Sequence, residues 1–109
     1  MEMKITVKKL KRMTIEEFAI LHDLTMCVVE RYSNPGTYFL AAFEDMTIMP
    51  NVTEIGNCVP IISHGQGSTP EEAIQNYAKH ISTKRLRSNL TKEILSSCPL
   101  FINKEGKVL

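Results

Sequence analysis

The run Gly65-Gln66-Gly67-Ser68-Thr69-Pro70-Glu71-Glu72-Ala73 constrains the fold of this chain more than any other. The Thr69 hydroxyl suits the N-cap of a helix, where it takes up a backbone N–H that has no partner inside the helix. Pro70 then falls at the first helical position, where its missing N–H is no loss. Glu72, three residues after the cap, completes a capping box. Downstream, Ala73, Ile74, Tyr77, Ala78 and Ile81 form one apolar stripe, and Glu71, Gln75 and Lys79 lie on the other face. The spacing predicts an amphipathic helix over 70–82. Gly65 and Gly67 are expected to form a tight turn into it. Paired glycines ahead of a helix also suggest an anion cradle. However, this spacing is not the dinucleotide fingerprint, and no lysine follows as in a nucleotide P-loop. Glu71 and Glu72 already place negative charge at that helix end. Gly65, Gly67, Thr69 and Glu72 are therefore read as a structural turn and cap.

A second capping box stands at Thr14-Ile15-Glu16-Glu17, and helical spacing of Ile15, Phe18, Ala19 and His22 predicts a helix over 15–22. Leu24 to Tyr32 is rich in apolar and β-branched residues and reads as a strand. Ser33-Asn34-Pro35-Gly36 is a turn, with Pro35 presetting φ and Gly36 free to take positive φ. Thr37 to Met46 is the returning strand, with Phe39, Ala41 and Phe43 on one face and Tyr38, Leu40 and Ala42 on the other. Residues 47–56 form a looser stretch. Cys58 to His64 is a third strand, and Pro60 marks it as an edge or a bulge. Met3 to Leu10 is a candidate edge strand, and 84–90 and 93–102 are short ones. Both edges, at Met3–Leu10 and at Pro60, offer a homodimer by strand pairing. The expected fold is α+β over a single domain, 1–109. A mainly antiparallel sheet carries two helices on one face, and short strands flank an α-β-β-β-α core.

The 109 residues suffice to bury a core without covalent staples. No stretch approaches the roughly 20 apolar residues of a membrane span, and the N-terminus lacks the apolar core of a signal peptide. Cys27, Cys58 and Cys98 are an odd number at wide spacing, expected to be reduced and buried in a cytoplasmic protein.

The net charge of +1 conceals a segregation. Residues 1–12 carry Lys4, Lys8, Lys9, Lys11 and Arg12 against Glu2. Residues 13–78 carry nine acids against Arg31. Residues 79–92 carry Lys79, Lys84, Arg85, Arg87 and Lys92 and no acid. Two readings stay open. The basic ends pair with the acidic middle within the fold, or a two-sided surface meets a charged partner. Lys79, Lys84, Arg85 and Arg87, with Lys8, Lys9, Lys11 and Arg12, are the candidate residues for binding a partner or a nucleic acid. On a strand, Arg85 and Arg87 share one face while Leu86 turns to the core. Aromatics are absent from the basic run, which disfavours a stacking platform for single strands.

Other chemistry lacks its residues. No Cys or His spacing suits zinc. Cys58 and His64 share a face of one expected strand but stand apart, and no nucleophile elbow is present. Glu44 and Asp45 are neighbours that a strand would point to opposite sides. Neither a catalytic site, a metal nor a cofactor is assigned.

The helix–strand–strand–strand–helix order over 14–82, with Gly65-Gln66-Gly67-Ser68-Thr69-Pro70-Glu71-Glu72-Ala73, resembles the double-stranded-RNA-binding domain. Glycines, small polar residue and helical alanine match that family's signature. Its RNA-contacting lysines are replaced by Pro70, Glu71 and Glu72, so the resemblance implies the fold and not the RNA mode. The same segment is similar to the helix start of HicB-type antitoxins. Residues 65–86, including Asn76-Tyr77-Ala78 and Ile81-Ser82, most closely resemble small uncharacterised phage and prophage proteins. That resemblance implies an origin and no activity; with the small size, missing catalytic groups and segregated charge, the expectation is a non-enzymatic binding protein of a phage or prophage in the host-cell cytoplasm. It would cover a host or phage protein, such as a host defence protein, through a charged face. Nucleic-acid binding through the basic segments and a HicB-like antitoxin are the alternatives.

Overall fold

The computed structural model describes residues 3–4, 11–34, 36–49, 63–95 and 97–109. In chain order these form β1 (Arg12–Met13), α1 (Ile15–His22), β2 (Met26–Ser33), β3 (Gly36–Phe43) and β4 (Met46–Ile48). They continue with β5 (Gly65–Gly67), α2 (Pro70–Ile81), β6 (Leu86–Ser88) and β7 (Leu100–Phe101). The class is α+β, as the sequence implies.

Both helices begin where their caps predict. The Thr14 side chain accepts from the Glu17 N–H at 3.2 Å, and that of Thr69 from the Glu72 N–H at 3.1 Å. The carboxylates act differently from a reciprocal capping box. Glu17 accepts from the Thr14 hydroxyl at 3.1 Å, and Glu72 accepts from the Ser68 hydroxyl at 3.0 Å. α1 ends at Asp23, whose left-handed conformation lets Leu24 N–H bond back to the Ala19 carbonyl at 2.8 Å. α2 ends through Ser82, whose hydroxyl bonds the Ala78 carbonyl at 2.9 Å and accepts from the Phe101 N–H at 3.3 Å.

Among the described residues the strands form three small sheets instead of one. β2, β3 and β5 are antiparallel in that order, β4 pairs antiparallel with β6, and β1 pairs parallel with β7. The expected strand 37–46 is split. Glu44 and Asp45 form a turn, with Asp45 at φ 59°, and the chain beyond it leaves for the second sheet. Gly36 opens β3 and has no positive φ. The expected strand 93–102 keeps a bridge at Ile94, β7, and a bridge at Ile102.

The glycines need the largest correction. Gly65 and Gly67 are not a turn. They are strand β5, paired with Ala41 and Phe39 of β3, and helix α2 lies directly on them. A Cβ at Gly65 would sit within the backbone of Ala73 and Tyr77, and one at Gly67 would come within 2.6 Å of Ala73 N. The absence of side chains is what lets the helix approach the strand. The expected strands at Met3–Leu10 and Cys58–His64 fall, for nearly all their length, outside the described residues, as do Pro60 and Cys58.

α2 covers the sheet face that carries Ala41 and Phe43, and of its predicted stripe Ala73, Tyr77, Ala78 and Ile81 are buried and Ile74 is half-buried. α1 reaches the same face through Phe18, 6.1 Å from Phe43. Phe18 also meets Phe101 edge-on at 5.3 Å, and Phe43 meets Tyr77 edge-on at 5.6 Å. This aromatic chain ties β7, α1, β3 and α2 together, each edge-to-face pair adding about 1 kcal/mol beyond simple burial. Cys98 is buried as expected, whereas Cys27 is exposed on β2. No helix among the described residues is long and apolar enough to cross a membrane.

Candidate basic binding face

Strand β7 and the residues before it organise the basic groups. On one side, Leu100 N–H bonds the Lys11 carbonyl and Ile102 N–H bonds the Met13 carbonyl, both at 3.0 Å. On the other, Cys98 N–H bonds the Lys84 carbonyl at 2.8 Å and Thr83 N–H bonds the Pro99 carbonyl at 3.4 Å. The two basic segments, 1–12 and 79–92, stand far apart in sequence. Their described parts flank one stretch of extended chain, and the sequence pattern contains no sign of that neighbourhood.

The side chains divide into groups. Lys11 and Arg12 are exposed, while Lys8 and Lys9 lie outside the described residues. Lys79 is exposed on the last turn of α2, where a cation complements the helix dipole, and Lys84 is half-buried beyond it. Both act on His80. Its pKa is lowered from the usual value, first by burial, then by the positive charge of Lys84, His64 and Lys79. Lys79, Lys84 and two histidines thus share one local field. The histidines look scattered in sequence, but the helix end gathers His64 and His80. Even so, no group of three metal-ligating side chains forms among the described residues.

Arg85 and Arg87 flank Leu86, which is fully buried against the core. Leu86 pairs with Ile48, and Arg87 with Thr47 and Ile94, so the arginines share the outer face as the alternation predicts. Arg85 is exposed. Arg87 is half-buried, and its Nε has no hydrogen-bond partner among the described residues. The expected four-residue cluster therefore splits: Lys79 and Lys84 belong with the end of α2, and Arg85 and Arg87 with the outer face of β6.

The acids are divided: Asp45 and Glu93 stand beside β6, their carbonyls accepting from the Asn89 and Ser88 N–H groups at 2.7 and 2.8 Å, and others lie farther off. Glu71 and Glu72 sit in the first turn of α2, at the opposite end from Lys79. The Glu17 and Glu72 carboxylates are engaged by cap hydroxyls.

Two buried groups bear on chemistry. The Cys98 thiol is pushed up to about 12 by burial. The Tyr77 phenol is pushed up to about 12, chiefly by burial, opposed by a hydrogen bond to the Phe43 backbone. Both stay protonated at neutral pH, and a nucleophile must be a thiolate. Cys98 does share an open cavity of about 210 Å³ with His22, Lys11, Thr83 and Ser97. Its thiol there remains a buried, neutral group.

Compared with protein-family models, curated proteins and solved structures, the chain matches none.

Proposed function

We propose that this protein is a non-enzymatic binding protein that covers an anionic surface of a macromolecular partner with its basic end. The observation that carries this reading is that the backbones of Lys11 and Lys84, from the two basic segments, bond to either side of the 97–101 stretch. Bringing two basic segments to one stretch of chain raises the local potential in a way that a net charge of +1 conceals. The pKa of His80 is lowered first by burial, and the further lowering by Lys84, His64 and Lys79 agrees with a positive field at the end of α2. Protonated Cys98 and Tyr77 agree with binding in place of catalysis. The phage resemblance supplies the setting: the partner is a host or phage protein with an acidic face, met in the host cytoplasm, and inhibition of a host defence protein is the effect.

The test is capture of partners from host lysate by the native protein and by a Lys84→Ala/Arg85→Ala/Arg87→Ala variant. The variant should lose the partner while keeping its fold. Partner binding that survives all three changes removes the basic face from the reading.

Nucleic-acid binding by the same cations is the second reading, favoured by the row of Arg85 and Arg87 on one face. Titration with duplex RNA and duplex DNA at low and high salt separates the two, because phosphate contacts weaken steeply with salt. The acidic N-terminal end of α2 disfavours the docking mode of the double-stranded-RNA-binding domain, whose lysines stand there.

A further inference from the structure

We propose that the outer edge of β2 pairs with β2 of a second copy, antiparallel, with Val29 on the twofold axis. The two hairpins would then extend one sheet across both chains.

β2 is an edge of the β2–β3–β5 sheet among the described residues. It is eight residues long and contains neither proline nor lysine, and its two charged residues, Glu30 and Arg31, are adjacent and of opposite sign. The opposite edge, β5, is three residues long and lies under α2. The hydrogen-bond phase of β2 follows from one contact. Glu44 N–H bonds the Thr25 carbonyl at 2.8 Å, which makes that pair a hydrogen-bonded one. In the antiparallel register, Cys27, Val29, Arg31 and Ser33 therefore turn their backbone groups toward β3. Met26, Val28, Glu30 and Tyr32 turn theirs outward. An ordered row of donors and acceptors stands ready at the edge.

The side chains beside this row are apolar for a surface. Cys27 and Val29 are exposed on the face away from α2, and their cross-strand partners Ala42 and Leu40 are only half-buried. Tyr32 is 77% exposed on the other face.

β2 is self-complementary in one register, which speaks for a second copy as the occupant. In a twofold antiparallel pair, facing residues point to the same side of the sheet, so the axis passes through a residue. An axis at Glu30 sets two carboxylates face to face, and one at Arg31 sets two guanidiniums face to face. An axis at Val28 leaves the last three residues of β2 without strand partners. An axis at Val29 pairs seven of the eight residues and opposes no like charges. It sets Val29 against the partner's Val29 and Cys27 against the partner's Arg31. Val28 then exchanges hydrogen bonds with the partner's Glu30, and Met26 with the partner's Tyr32. All four residues in those bonds carry outward backbone groups.

Molecular mass measured by sedimentation over a dilution series should show two chains at high concentration, falling to one on dilution. Val29→Lys sets two ammonium groups on the axis and should give one chain throughout, with an unchanged thermal midpoint at concentrations where the native protein is also one chain, because Val29 is already exposed. The register is read by cross-linking in a Cys27→Ser/Cys58→Ser background. Facing residues of a non-hydrogen-bonded pair have Cα atoms about 4.5 Å apart, within disulfide reach. Val29→Cys should therefore oxidise to a covalent dimer. Tyr32→Cys, roughly 20 Å from its own copy in this register, should not. A single-chain mass at every concentration overturns the proposal. So does a dimer indifferent to Val29→Lys, or Tyr32→Cys cross-linking as readily as Val29→Cys.

Discussion

The seam between α2 and β5 and the outer edge of β2 belong to the same sheet and behave as opposites. At the seam the backbone of a helix rests on a strand with no side chain between them, because Gly65 and Gly67 supply none. At the edge, backbone groups and apolar side chains face outward. In the first, every added atom meets a wall. In the second, most substitutions meet solvent. Tolerance to change is thus set by what lies opposite a residue, and little by the strand propensity of the residue itself.

Gly65→Ala is the strongest way to break that contrast. Its methyl has no space within the backbone of Ala73 and Tyr77, so the helix must lift from the sheet. We expect a loss of about 3 kcal/mol or more in chemical denaturation, at the upper end of overpacking effects. A loss below about 1 kcal/mol would show that the seam yields easily. Gly67→Ala should cost less, since its added Cβ would come no nearer than 2.6 Å to a neighbouring atom, whereas one at Gly65 would lie closer still to the Ala73 carbonyl oxygen and the Tyr77 backbone nitrogen.

Alkaline titration sharpens the same comparison through the buried groups under α2. Tyr77 rises from 10.0 to about 12 and Cys98 from 9.0 to about 12 on folding. Each folded pKa lies above its unfolded value, so their contribution is complete below pH 9 and is lost as pH rises toward 12. For Tyr77 this amounts to roughly 3 kcal/mol. Urea midpoints should fall over that range in the native protein. Tyr77→Phe should flatten the part of the decline above pH 10.

Thr69→Ala removes the hydroxyl that accepts from the Glu72 N–H and should cost about 1 kcal/mol. A comparable loss from Ser68→Ala would locate the cap in the carboxylate pairing instead. The smallest effect belongs to the hairpin. Tyr32→Ser, at a position 77% exposed, should shift monomer stability by no more than about 0.5 kcal/mol, measured at concentrations where one chain predominates.

Histidine titration by NMR joins the seam to the basic face. Lys84→Ala should raise the pKa of His80, since it removes the larger of the neighbouring positive charges. Because the folded pKa is lowered, His80 weakens the fold as pH falls below its ordinary value of 6.5.

Local pattern settled the two helices, their starting caps, the buried stripe of α2 and the inward turn of Leu86 between its arginines. These depend on residues within one or two turns of each other, where hydrogen bonding and periodicity act directly on the chain. Tertiary structure alone decided the role of Gly65 and Gly67, which read equally well as a turn until a helix is seen resting on them. It also decided the breaking of one expected sheet into three among the described residues, the division of the basic cluster, and the placing of Lys11 and Lys84 on either side of the 97–101 stretch. Each of these depends on which distant backbones approach, and a sequence encodes that only through the packing of the whole core.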